Sequence, residues 1–469
     1  MNKKGLLGGV AIVVVAAALI GPRFAGSQVE DTLKQHVEAL NNVPAYTAQV
    51  VSFDRGWFGS TATVELGVDF SGAFPEAEQS EELSFEVVID VQHGPVLTQF
   101  SPGLGLASLE ASSKDKGLRE FLDWEDETPF YHMVGSVGFS GNFSYSDSIS
   151  SFTLAPNDAR QQISVSRYEG IGEVSSDSFS YEGVLDGAEV LMEVQAVSVG
   201  EMKVRTEAKG DLLSIMQGGL YESEMSMQLE KVTARSPDDV DFFNVEELDV
   251  EAISAFSDNQ KHMNVDMNYS MKSFMFGDTH LDNLVVNMAF NNLDAEFLRA
   301  YNQTMQTIYD QGPDEMEAAT EKLVKDSLPQ LLKAEPEFVV SEFSGQMEPG
   351  NFEGDLSAKL VGVAQVPDNL DDIRFWLSSL IADASLTVDK PLLKWLAEQQ
   401  LLSTMRMQYP GADEAEMQKM AEQQAPMMIN MYLQQGLLTE TEDDYRSEFQ
   451  MEGGEAMLNG QKVPLGNMM

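Results

Sequence analysis

Apolar and polar residues alternate with a period of two through much of this chain, and that commits most of it to β-sheet. Ala62, Val64, Leu66, Val68 and Phe70 alternate with Thr63, Glu65, Gly67 and Asp69. Leu83, Phe85, Val87, Ile89 and Val91 repeat the pattern, as do Ala188, Val190, Met192, Val194 and Ala196. It continues in Met225, Met227 and Leu229, in Val265, Met267, Tyr269 and Met271, and in Leu284, Val286, Met288 and Phe290. Successive side chains of a strand point to opposite faces, so such runs predict antiparallel sheet with one apolar and one wet face. Turns rich in Ser, Gly and Asp, such as Ser175-Ser176-Asp177-Ser178, separate them.

Helical spacing appears at the start and again late. Ser27 can cap a helix to Leu40 in which Val29, Leu33, Val37 and Leu40 share a face. Asp294 can cap a second, with Phe297, Leu298, Tyr301, Met305 and Ile308 on one side. Further helices are expected over Asp314–Leu332, Asp371–Leu380, Pro391–Leu402, Asp413–Gln424 and Pro426–Gln435. Pro391 and Pro426 are placed in first helical turns, where the missing N–H costs nothing. The end returns to strand over Tyr445–Met451, with a tight turn at Asn459-Gly460.

Lys3-Lys4 precede an uncharged stretch from Gly5 to Pro22 built on Leu6, Leu7, Val10, Ile12, Val13, Val14, Val15, Leu19 and Ile20. Eighteen residues at about 1.5 Å each span roughly 27 Å, enough for a hydrocarbon core. The two lysines predict a cytoplasmic N-terminus. A cleaved signal peptide is the rival reading, against which Arg23-Phe24-Ala25 is a poor cleavage site. Either way the rest of the chain crosses the membrane. The expected architecture is therefore α+β: an N-terminal transmembrane helix, then an elongated, mostly antiparallel sheet domain with helices concentrated in the C-terminal third. The expected divisions are 1–23 anchor, 24–44 juxtamembrane helix, 45–292 β-rich region, and 293–469 mixed region packing on the same sheet.

Of 469 residues, 29 are basic and 76 acidic. Lys3, Lys4 and Arg23 flank the apolar run, so the remainder carries 26 basic residues and a formal charge near −50. Such a field repels nucleic acid and anionic lipid surfaces. The acids are scattered, which suits a salty medium; a basic partner or divalent cations are the functional alternative. Cysteine is absent, which excludes disulfides, thiolate metal sites and a lipidated N-terminal cysteine.

Several local features in order resemble the YdgA-like family of bacterial proteins. After the membrane segment come Phe53-Asp54-Arg55-Gly56-Trp57-Phe58-Gly59-Ser60, then Asp90-Val91-Gln92-His93-Gly94-Pro95. Val137-Gly138-Phe139-Ser140-Gly141, Tyr269-Ser270-Met271 and Leu458-Asn459-Gly460-Gln461-Lys462 complete the set. The resemblance implies a bacterial inner-membrane anchor with a periplasmic domain. It implies no reaction and carries over no catalytic residue.

The motifs also have bland readings. In Arg55-Gly56-Trp57-Phe58-Gly59, positive φ at Gly56 and Gly59 would make a tight connection that Trp57 and Phe58 bury against the sheet. A partner-binding loop is the alternative. His93-Gly94-Pro95 ends a strand, and a metal or catalytic role for His93 lacks companions: His36, His132, His262 and His280 form no HxH or HExxH. Ser113-Lys114-Asp115-Lys116 has the SxxK spacing without its partner motifs. GxSxG, Walker A and GxGxxG are absent from the sequence. Phe-Ser-Gly recurs at 70–72, 139–141 and 343–345 with irregular spacing. The chain holds 26 methionines. Met405, Met420, Met427 and Met431 on the late helices are core filling or a plastic apolar groove.

These readings leave no cofactor and no enzyme chemistry. The leading expectation is a membrane-tethered β-scaffold that binds another envelope component. A lipid-binding or lipid-transfer module with an apolar β-groove is the alternative. What separates them is whether helices of the chain cover the apolar strand faces.

Overall fold

The computed structural model describes residues 33–463 except 35–36, 39, 42–45, 70–81, 114–116, 121, 155–160, 193–194, 211–214, 216–218, 237–239, 312–315, 364, 368 and 371. The anchor residues Leu6, Leu7, Val10, Ile12, Val13, Val14, Val15, Leu19 and Ile20 lie outside the described residues, as do Ser27, His36 and Phe70-Ser71-Gly72. Among the described residues, no helix is long and apolar enough to cross a membrane.

Antiparallel strands dominate, and the helices from Ala295 onward fall late in the chain. Two compact units result: residues 1–242 with 302–316, and residues 243–301 with 317–469. The long strands Asp241–Phe256, His262–Phe276 and Thr279–Asp294 pair in succession and onward into Glu337–Met347.

In the first unit, ten strands pair in this order: Tyr46–Arg55, Gly59–Asp69, Glu82–His93, Ala107–Ser113, Tyr131–Val137, Phe143–Ile149, Tyr168–Val174, Ser178–Leu185, Met202–Lys209 and Glu222–Arg235. A second lane, made of Leu122–Trp124, Phe152–Leu154, Gln161–Val165, Ala188–Met192 and Gln195–Val199, extends the same ladder and ends on Val232–Arg235. Ala188–Met192 and Gln195–Val199 thus pair with each other as two antiparallel strands, and not as the single strand that the alternation over 188–196 suggests.

Alternate side chains of the first lane fill one core: Val64, Leu66, Val87, Ile89, Leu109, Ala111, Tyr131 and Met133. Leu33, Val37 and Leu40, all helical, close it. The 3.6-residue spacing of those three and the period-two strands meet in one buried layer.

The second unit is a meander: Asp241–Phe256, His262–Phe276, Thr279–Asp294, Glu337–Met347, Gly350–Leu360, Leu380–Asp389, Asp444–Glu452, Glu455–Leu458 and Gln461–Val463. Asn459 and Gly460 both have positive φ (50° and 73°), the two-residue hairpin turn that their sequence predicts. The side chain of Asp294 accepts from the Glu296 and Phe297 amides and starts Ala295–Gln311. The region 314–332 divides at Ser327 into Met316–Asp326 and Leu328–Lys333, with a proline in the first turn of the second. Asp372 caps Ile373–Ser379.

Lys390–Gln408 and Glu414–Gln434 form a helix pair. Pro426 lies inside the second helix and does not begin a new one. The helix carries through because packing of Ala421, Ala425 and Ile429 against the partner helix outweighs one lost hydrogen bond.

Of the Phe-Ser-Gly triplets, 139–141 lie in a turn and 343–345 inside a strand, while 70–72 lie outside the described residues. The match does not mark an internal repeat.

Candidate functional site

Strand pairing joins the two motifs read from the sequence. Gly59 pairs with Gln92, and the His93 amide donates to the Phe58 carbonyl at 2.9 Å. Arg55, Gly56, Trp57 and Phe58 form the tip of the first hairpin, and His93, Gly94 and Pro95 lie beside its base. A shallow cleft of ≈ 520 Å³ opens there, lined by Asp54, Arg55, Ser60, Thr61, Asp90 and Phe100 among others.

The bland reading of the tip is overturned. Trp57 is 95% exposed and Phe58 84% exposed. Neither Gly56 nor Gly59 has a positive φ. Close approach, not handedness, requires these glycines: a Cβ on Gly59 would lie 2.6 Å from the Val91 carbonyl oxygen, and one on Gly56 2.9 Å from that of Gly59. The turn is tight enough without its aromatics, which therefore point away from the sheet.

His93 Nε2 lies 3.3 Å from Ser60 Oγ. Burial and, next, the Arg55 charge push its pKa down, and a hydrogen bond to the Trp57 backbone works against them. Gly94 is demanded by packing too, since a Cβ there would sit 1.9 Å from the Gly105 carbonyl oxygen. Among the described residues, no group of three or more His, Asp or Glu side chains is arranged to hold a metal ion.

The four methionines singled out on the late helices do not converge. Met405 is buried with Leu402, Met417 and Ala421 between the paired helices. Met420, Met427 and Met431 are exposed. Half-turn differences in a two-helix contact bury one row and leave the next in solvent.

The apolar face lies instead on the sheet of the second unit. Ala252, Met267, Met288, Val340, Leu356, Ala384 and Phe449 form one cross-strand row. Val250, Tyr269, Val286, Phe343, Gly354 and Leu386 form the next. None of these residues is buried, and Phe343 and Leu386 are each 40% exposed.

The opposite face is polar. Asn268 donates to Glu251 at 2.8 Å, Asn287 to Glu342 at 3.1 Å, and Ser385 to Asp355. The long helix pair reaches the sheet at its margin, where Tyr445 packs with Ala397 and Ile429. Antiparallel strands with one apolar face ordinarily bury that face; here its middle stays half-open.

A third feature was not legible in the sequence. Asp147 is 4% exposed inside the first core. It accepts from Tyr181 Oη at 3.2 Å, and Tyr181 and Tyr168 hydroxyls are themselves in contact. The Tyr131 and Tyr145 hydroxyls are buried in the same core, and the Tyr131 hydroxyl helps hold the Asp147 carboxylate. Burial raises the Asp147 pKa to about 6, against smaller opposing hydrogen bonds. Glycines give the rings room: a Cβ on Gly170 would lie 2.2 Å from Tyr181 Oη.

These features define a β-rich protein with two exposed apolar surfaces, one on loops and one on a sheet. Comparison then places it. The chain belongs to the family described as bacterial protein of unknown function (DUF945), which matches residues 1–466. It is similar to Protein YdgA of Escherichia coli (strain K12), with 22% identity over 500 residues that cover 99% of this chain and 95% of that protein. The YdgA-like resemblance read from the motifs is thus borne out. No solved structure matches the chain.

Proposed function

We propose that this is a non-enzymatic, membrane-tethered envelope protein that holds lipid acyl chains on the apolar sheet face of its second unit. The observation that carries the reading is the half-open state of the two apolar rows through Met267, Met288 and Val340 and through Tyr269, Val286 and Phe343. Its strands of up to 16 residues span about 50 Å at roughly 3.3 Å per residue, ample for an acyl chain.

The chemistry favours a chain over a protein as occupant. Protein interfaces carry about one hydrogen bond per 100–200 Å². The centre of this face offers almost no donor, and Tyr269 turns its hydroxyl 3.6 Å from Met267 Sδ. Unbranched methionines such as Met267, Met271 and Met288 adapt to a flexible ligand. The expected anchor at residues 1–23 and the periplasmic placement belong to the same proposal.

The test is purification of the full chain from native membranes in mild detergent, with mass spectrometry for both lipids and proteins. Co-purifying lipid that Phe343→Asp and Leu386→Asp variants lose supports the reading. Lipid-free protein, or a stoichiometric protein partner lost in those variants, overturns it in favour of a scaffold for another envelope protein.

A further inference from the structure

Five exposed apolar loop residues of the first unit lie at one end of its strands. In pairing order, Gly59 meets Gln92, His93 meets Ala107, Ala107 meets Val137 and Val137 meets Phe143. The first three connections at that end are therefore 56–58, 94–106 and 138–142; the next in pairing order, 175–177, is polar and carries Asp177. The first three carry Trp57 (95% exposed), Phe58 (84%), Val96 (60%), Leu104 (71%) and Phe139 (62%).

Charge is missing from the same segments. In a chain with 22% charged residues, none lies from Gly94 to Leu109 or from Met133 to Tyr145. The polar groups of the longest loop are turned inward. Gln92 Oε1 accepts from the Thr98 and Gln99 amides at 2.9 and 2.8 Å, and Ser108 Oγ donates to the Gln99 carbonyl at 2.9 Å. That inward bonding leaves the apolar side chains facing out.

We infer that this loop end rests in the interface of a lipid bilayer, with Trp57 and Phe58 inserted. Trp and Phe beside uncharged, internally satisfied backbone fit the boundary between headgroups and acyl chains. The acidic chain gets no help from anionic headgroups, so contact has to come from short apolar tips like these. The path of the chain agrees. Asn41 bonds Ala48 in both directions, at 2.6 and 3.1 Å, and Leu33, Val37 and Leu40 share a core with Ala48, Val50 and Phe53. The described helical residues thus share a core with Tyr46–Arg55, the strand that leads into the Trp57 tip. Residues 23–32 separate them from the apolar run and reach at most about 36 Å. The inference rests on the tether of the proposed function for proximity, and on nothing in the second unit.

The experiment reconstitutes the full chain in phosphatidylcholine vesicles and reads flotation and quenching of tryptophan emission by spin-labelled lipid. Trp57→Phe gives the share that belongs to Trp57, against Trp124, Trp376 and Trp395. Lipid quenching and blue-shifted emission that Trp57→Phe removes, while flotation persists, is the expected result. A chain that floats with Trp57 open to acrylamide and untouched by lipid quencher overturns the inference and leaves the tether standing; binding of a protein at the tip would give this result. A chain that does not float overturns both.

Discussion

Asp147 receives a hydrogen bond from Tyr181 at 3.2 Å in the core of the first unit, 4% exposed and with no basic side chain among the groups that set its ionisation. Burial raises its pKa from 3.8 to about 6. The folded value lies above the unfolded one, so the core prefers the protonated acid. Its contribution to stability is full below about 3.8 and is lost as pH rises through about 6.

Asp147→Asn keeps an acceptor for Tyr181 and removes the charge. The variant is expected to be more stable than the parent at pH 7 by up to about 3 kcal/mol, two units at 1.36 kcal/mol each. The advantage should vanish near pH 4. Paired thermal melts across that range check it; a variant less stable at pH 7 would contradict the burial argument.

Trp57→Ala should change the melting temperature very little, within about 0.5 kcal/mol, because the ring touches solvent. Trp124→Ala is the contrast. Trp124 is 5% exposed, stands 5.3 Å from Phe130 and under the Arg119 guanidinium, and donates to the Thr128 carbonyl at 2.9 Å. Its loss should cost about 3–5 kcal/mol. Equal costs for the two would restore a buried Trp57.

Much of this fold is legible in the sequence because periodicity encodes facing. The runs from Ala62, Leu83, Val265 and Leu284 are strands in the expected phase, and Asn459-Gly460 makes its turn. What alternation does not encode is where a strand breaks: 188–196 reads as one strand, but Ala188–Met192 and Gln195–Val199 pair with each other. The aromatic tip is misread because apolar residues beside glycines look the same whether they cap a core or leave it. Asp147 is hidden because its four tyrosines, Tyr131, Tyr145, Tyr168 and Tyr181, come from separate strands that only pairing assembles.

Gly59→Ala should destabilise the hairpin without any φ penalty, since the added methyl meets the Val91 carbonyl at 2.6 Å. A cost of about 1–3 kcal/mol, typical of overpacking, is expected. The same substitution at Gly103, with nothing within 4 Å and no positive φ, should be nearly silent. Denaturant midpoints of the two variants provide the comparison.

Salt should stabilise the protein. The formal charge is −47, and the ion pairs found among the described residues are mostly exposed. Screening then relieves repulsion more than it weakens pairs. A melting temperature that rises from low to molar sodium chloride fits; a fall would show the pairs to dominate.

The central claim is that acyl chains lie along one face of the second sheet. The direct measurement is photocrosslinking of the full chain to phospholipid bearing a diazirine in its acyl chain, with adducts mapped by mass spectrometry. Adducts on Met267, Val286, Met288 and Phe343, and none on the opposite-face Asn268, Asn287 and Glu342, are the predicted result. Adducts spread equally over both faces, or confined to segments outside 241–452, would contradict it.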